Sequence, residues 1–189
     1  MKKQELNLIL SMINKTYNDF DLFIETGSYV GETIDDMINL FKEIISIEIT
    51  DKYANYCKNK FIYNENVRII KGDSLNVLPE LIKLNDKKNI LFYLDGHYSA
   101  GDTGKNNLDC PLLQELNIIN NNLKNSCLII IDDADLFEYE DHLISWKGIN
   151  ENNIIEQVKD RVKNYFYVQN TVKALEKTRF VIELNYLQI

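Results

Sequence analysis

Proline occurs only twice in this chain of 189 residues, and cysteine three times. Cys57, Cys110 and Cys127 are far apart and odd in number. With no CxxC pair and no His/Cys cluster, they indicate neither a disulfide framework nor a zinc site, and they fit a reduced, cytoplasmic setting. No apolar run approaches the roughly 18–20 residues of a membrane span. Met1-Lys2-Lys3 imitates the start of a signal peptide, but the stretch Leu6–Ile13 is short, lacks a small-residue cleavage site and runs into Asn14 and Lys15. It reads better as an amphipathic first helix. A basic surplus is missing too, since 21 Lys and Arg against 29 Asp and Glu give a net charge of −8. That balance argues against a nucleic-acid footprint and favours solubility. There is no internal repeat and no low-complexity linker, and the length suits one domain over residues 1–189.

What the chain does have is a set of apolar runs that end on carboxylates. They are Leu22–Glu25, Ile44–Glu48, Val67–Ile70 followed by Lys71-Gly72-Asp73, Ile90–Asp95 and Leu128–Asp133. Short apolar runs of this kind read as strands buried on both faces, the mark of a parallel sheet. Helical patterns alternate with them: Gln4–Tyr17, Val30–Lys42, Lys52–Phe61, Leu75–Leu84, Pro111–Leu123 and Asn153–Lys163. A loop is expected over Gly96–Asp109 and an irregular stretch over Ala134–Asn150. Alternation of this length predicts right-handed crossovers and an α/β, doubly wound, Rossmann-like sheet. The last two runs, Tyr165–Gln169 and Arg179–Leu184, are too close for a crossover helix, so the final strand is expected to be antiparallel.

Ligands of open α/β sheets bind at the carboxyl ends of the strands, where these acids fall. The first turn, Glu25-Thr26-Gly27-Ser28-Tyr29-Val30-Gly31, has GxxxG spacing rather than the GxGxxG of a dinucleotide site. Glu25 and Glu32 oppose a pyrophosphate, whereas S-adenosylmethionine (SAM), with its ammonium and sulfonium, is favoured by nearby acids. Glu48, about 20 residues beyond the glycine turn, is placed for ribose hydroxyls. Gly72-Asp73-Ser74 is placed for an adenine edge, although Asp73 or Glu48 alone could equally be a helix cap. Gly104-Lys105 lacks the flanking residues of a phosphate loop.

Strands four and five are expected to be neighbours, which brings Asp95 near Asp132 and Asp133. Three carboxylates in one crevice repel one another, and a divalent cation such as Mg²⁺ or Mn²⁺ would relieve them. The competing reading has Asp133 or Asp135 cap a helix, with only Asp132 facing the crevice. His97, one of two histidines, stands two residues beyond Asp95 and could act as general base. His142 reads as a surface residue, and Trp146 as a packing residue.

These residues resemble the class I SAM-dependent methyltransferases. Glu25 to Gly31 is similar to their motif I, and Gly72-Asp73-Ser74 to their adenine-contacting segment. Leu94–Ser99 with Cys110–Leu116 is similar to bacterial methyltransferases of glycan or secondary-metabolite tailoring. The resemblance implies sheet order 3-2-1-4-5-7-6 and a cofactor set of Glu25, Thr26, Gly27, Ser28, Gly31, Glu48, Ile49, Asp73, Ser74 and Asp95. It implies metal ligation by Asp95, Asp132 and Asp133, with His97 and Asp95 catalytic. The implied activity is methyl transfer to a hydroxyl of a sugar or other small acceptor, at a site left open or completed by a second subunit. The rivals are a metal-independent methyltransferase using His97 alone, an NAD or nucleotide-sugar enzyme, and a non-catalytic SAM-binding module.

Overall fold

The computed structural model describes residues 1–99, 101, 103–105, 108–170 and 175–187. Parts of the expected Gly96–Asp109 loop, and the residues 171–174 that join the last two strands, lie outside the described residues.

Seven strands form one sheet: β1 Leu22–Thr26, β2 Ile44–Glu48, β3 Val67–Lys71, β4 Ile90–Leu94, β5 Cys127–Ile131, β6 Val162–Asn170 and β7 Leu175–Leu184. Their order is β3-β2-β1-β4-β5-β7-β6. β1 to β5 pair in parallel, and β7 runs antiparallel between β5 and β6. This is the expected topology.

Side chains alternate across the sheet, so each strand feeds two cores. One face packs on α4 (Ser74–Leu84), α5 (Leu112–Asn122) and α6 (Glu151–Val158) through Leu78, Ile82, Leu116, Ile119, Ile154 and Val158. The opposite face packs on α1 (Lys3–Met12), α2 (Glu32–Met37) and α3 (Asp51–Lys60) through Leu6, Ile9, Ile34, Met37 and Cys57. All five residues of β1, β2, β4 and β5 are buried, as double coverage requires. The expectation of two-face burial fails for β3, which is only partly buried, because it is the edge strand.

Several expected elements change length for identifiable reasons. α1 stops at Met12, and Asn14 turns left-handed at φ 53°, so the run to Tyr17 is broken before a short 3-10 turn at Tyr17–Asp19. α2 is held to Glu32–Met37, because left-handed Gly31 caps its start and the backbone tightens at Leu40. α6 begins earlier than expected, since the Asn150 side chain accepts from the Asn153 backbone N–H. β6 starts at Val162, leaving no room for a helix to Lys163. The final hairpin is therefore longer than its apolar cores suggest.

Candidate functional site

A cleft of about 690 Å³ opens at the carboxyl ends of β1, β2, β3 and β4. That size suits a cofactor or small ligand. Its described lining contains Thr26, Gly27, Glu48, Ile49, Asp73, Ser74, Asp95 and His97, and no lysine or arginine. Seven of the ten expected cofactor residues therefore stand in the wall, Thr26, Gly27, Glu48, Ile49, Asp73, Ser74 and Asp95, while Glu25, Ser28 and Gly31 do not line it.

Gly27 makes the first turn possible. Its φ is +85°, and a Cβ there would lie 2.3 Å from the Asp95 carbonyl oxygen, so no other residue allows β1 and β4 to approach so closely. Thr26 Oγ1, fully buried at the same point, makes no hydrogen bond of ordinary geometry and faces the Glu115 carboxyl. Glu25 is also buried, and the Ser46 hydroxyl donates to it at 2.5 Å. Burial pushes its carboxyl up to about 7, against the Ser46 hydrogen bond. Ser28 shares a 2.6 Å hydroxyl contact with Ser46.

Glu48 is fixed by its neighbours. One oxygen accepts from the Tyr29 backbone N–H at 3.0 Å, and the other from the Thr50 N–H and hydroxyl, both at 2.8 Å. Asp73 is both things at once: it caps α4 by accepting from the Leu75 N–H at 3.0 Å, and it lines the cleft. Gly104, in the loop after β4, seats on the far wall, where a Cβ would fall 2.0 Å from Ile49 Cγ2.

His97 lies between two acids. Its Nδ1 is 3.6 Å from Asp95 Oδ1 and its Nε2 is 3.4 Å from Asp133 Oδ2. The ring packs edge-on against Trp146, with centroids 4.8 Å apart. Burial pulls the imidazole pKa down, but the Asp133 hydrogen bond and the charges of Asp95 and Asp133 outweigh it, and the pKa is raised. Burial pushes Asp95 up to about 6, against the charge of His97.

The expected three-carboxylate metal set is not assembled. Among the described residues, no group of three or more His, Cys, Asp or Glu side chains is placed to hold a metal ion. Asp132 is turned away and already compensated: its Oδ1 pairs with Arg179 Nη1, and its Oδ2 accepts from the Tyr93 hydroxyl at 2.6 Å. His97 stands between Asp95 and Asp133, 3.6 Å from the one and 3.4 Å from the other. These residues do not fit a divalent cation as a three-acid site, because Asp132 is already held by Arg179 and Tyr93. The acids Glu48, Asp73 and Asp95 and the lack of described lysine or arginine in the wall do fit SAM.

Arg179 was not anticipated, yet its position follows from pairing. Ile131 pairs with Phe180 in the antiparallel β5–β7 ladder, which sets Arg179 beside Asp132. Trp146 is buried with its Nε1 unpartnered, consistent with the packing expectation. His142 stands in an exposed stretch.

No family model and no curated protein matches the chain. Solved structures do. An S-adenosylmethionine-dependent methyltransferase from Clostridium acetobutylicum ATCC 824 superposes with TM-score 0.60 at 14% identity, covering 98% of this chain and 92% of that one. The fold is the class I methyltransferase fold. The N-methyltransferase NodS from Bradyrhizobium japonicum WM9 gives TM-score 0.61 at 10% identity over 98% of this chain and 94% of its own, and it has also been solved with S-adenosyl-L-homocysteine. An rRNA methylase from Streptococcus thermophilus gives 0.53 at 16% identity over 98% and 94%. These proteins share architecture with the chain, and their names range from an N-methyltransferase to an rRNA methylase. Among the described residues no helix is long and apolar enough to cross a membrane.

Proposed function

We propose that the chain is a SAM-dependent methyltransferase that acts on a hydroxyl of a small acceptor, such as a sugar or glycan precursor, with His97 as proton acceptor. The observation that carries this reading is the cleft at the strand ends, walled by Glu48, Asp73 and Asp95. When bound, SAM supplies a methyl group on a positively charged sulfur. Glu48 would accept from ribose hydroxyls, and Asp73 and Ser74 would meet the adenine edge. Asp95 and the buried Glu25 set a negative potential that suits the sulfonium and ammonium. His97 takes a proton, and Asp95 with Asp133 stabilises the imidazolium that forms, as a carboxylate does for a catalytic histidine. Assistance by Mg²⁺ or Mn²⁺ is set aside on the contacts of Asp132.

Calorimetry with SAM and with S-adenosylhomocysteine tests the central claim, and no binding of either at millimolar concentration would sink it. Methyl-labelled SAM with a panel of sugars, phenols and amines then identifies the acceptor class. Because the His97 pKa is raised, the base form grows in as pH rises through a value above the ordinary imidazole pKa. Turnover should follow that limb, and His97→Ala should abolish it. An unaltered pH profile in the variant removes the base role.

A further inference from the structure

The buried stripe of α5 runs through Leu112, Leu116 and Ile119, and Glu115 falls within it, 1% exposed. Side chains three and four apart share a helix face, so this position is one an apolar residue would ordinarily fill. Burial pushes the Glu115 carboxyl up to about 7, against the hydroxyls of Ser74 and Thr26 that face it. Its Oε1 has no hydrogen bond of ordinary geometry and lies under the turn after β4, where a Cβ on Gly96 would sit 3.4 Å from Oε1 and 3.0 Å from Thr26 Oγ1. Glu115 therefore meets three separate segments: the end of β1, the first residue of α4 and the turn that carries Asp95 and His97. Thr26, Ser74 and Gly96 all line the cleft, whereas Glu115 does not.

We infer that Glu115 is a positioning residue that fixes these three segments at the spacing a bound SAM requires. The inference rests on the methyltransferase reading given above. A leucine would fill the same space, but it could not engage the two hydroxyls or the underside of the Gly96 turn. A glutamine keeps the shape and one carbonyl acceptor. Structural filling and positioning thus predict different results for the two substitutions.

The test compares wild type, Glu115→Gln and Glu115→Leu by calorimetry with S-adenosylhomocysteine and by thermal unfolding. Glu115→Leu should melt at or above the wild-type temperature, since it removes a buried carboxyl, and still lose about tenfold or more in affinity, the scale of one or two hydrogen bonds. Glu115→Gln should restore binding to within about threefold of wild type, a loss of less than one hydrogen bond. Wild-type affinity in Glu115→Leu overturns the inference, as does a Glu115→Gln variant as weak as the leucine one. Should Glu115→Leu fail to fold, Glu115→Asp serves instead: its shorter reach should cost about tenfold, and unchanged affinity overturns the inference. A wild-type protein that does not bind S-adenosylhomocysteine at all removes the methyltransferase reading itself, a result distinct from any ranking of the variants.

Discussion

Replacing Arg179 with methionine isolates the charge that took the place of the expected metal. Arg179 is 4% exposed, its guanidinium pairs with Asp132, and it also lies 3.9 Å from Glu5 and 5.9 Å from the centroid of the Tyr93 ring. Methionine keeps much of the packing and removes the cation, leaving the Asp132 carboxylate buried without it. Breaking such a pair by removing one partner costs about 3–5 kcal/mol. With a urea m-value on the order of 2 kcal/mol/M, the midpoint should fall by roughly 1.5–2.5 M. The melting temperature should drop by roughly 10 °C for a chain of this length. The single tryptophan, Trp146, is buried and reports the transition by fluorescence. The double variant Arg179→Met, Asp132→Asn removes both charges and should regain about half of the loss. Freed of Arg179, Asp132 also becomes available to cations, so Mg²⁺ should raise the melting temperature of Arg179→Met and leave wild type unmoved. A midpoint within about 0.3 M of wild type, at equal m-value, would refute the reasoning. Equal stabilisation of wild type by Mg²⁺ would return a divalent cation to the site.

Three further outcomes follow from the same contacts. Glu25 has its folded pKa raised to about 7, so between its unfolded value and 7 the folded state holds a proton that the unfolded state has released. Stability from this group is full below the unfolded pKa and lost as pH rises through about 7, by on the order of 3 kcal/mol, and Glu25→Gln should flatten that part of a stability–pH profile measured by urea unfolding. An identical slope in the variant would count against the buried acid. Glu48→Ala removes the acceptor for Tyr29 and Thr50 as well as the proposed ribose partner, and calorimetry should record a loss of roughly 10- to 100-fold in S-adenosylhomocysteine affinity; a change under about threefold contradicts the assignment. Gly104→Ala puts a methyl into Ile49 and should weaken cofactor binding, while Gly104→Ala with Ile49→Ala restores it. Failure of the second substitution to rescue would mean that the loop does not seat on Ile49 when the cofactor is bound.

The sheet was readable because β1, β2, β4 and β5 are short apolar runs with turn residues at both ends, and that pattern has few physical solutions besides a covered parallel strand. Glu48, Asp73 and Asp95 were found for the same reason: each is the first acid at the end of an apolar run, and topology turns all such ends toward one side. Asp132 obeyed the same rule and still misled. Its partner is supplied by an antiparallel strand 47 residues away, and a linear sequence shows no charge balance until register is known. Glu115 was visible as an acid inside an apolar stripe, but periodicity alone does not separate a buried acid from one at the edge of a solvated face. α2 was misjudged because Gly31 and the tight turn at Leu40 act through backbone geometry, which hydrophobic spacing does not report.

The place of β7 in the sheet has a consequence for how the protein comes into being. β1, β2, β4 and β5 leave the ribosome before β7, so the acids at their ends exist for a time with no Arg179 beside them. Domains form as units during synthesis, and here the last pairing to close, β5 with β7, is also the one that neutralises Asp132. A nascent chain halted before β7 would thus have most of its core and a crevice with uncompensated charge. The order of translation makes the compensation of Asp132 a late event, reached only when the sheet is whole.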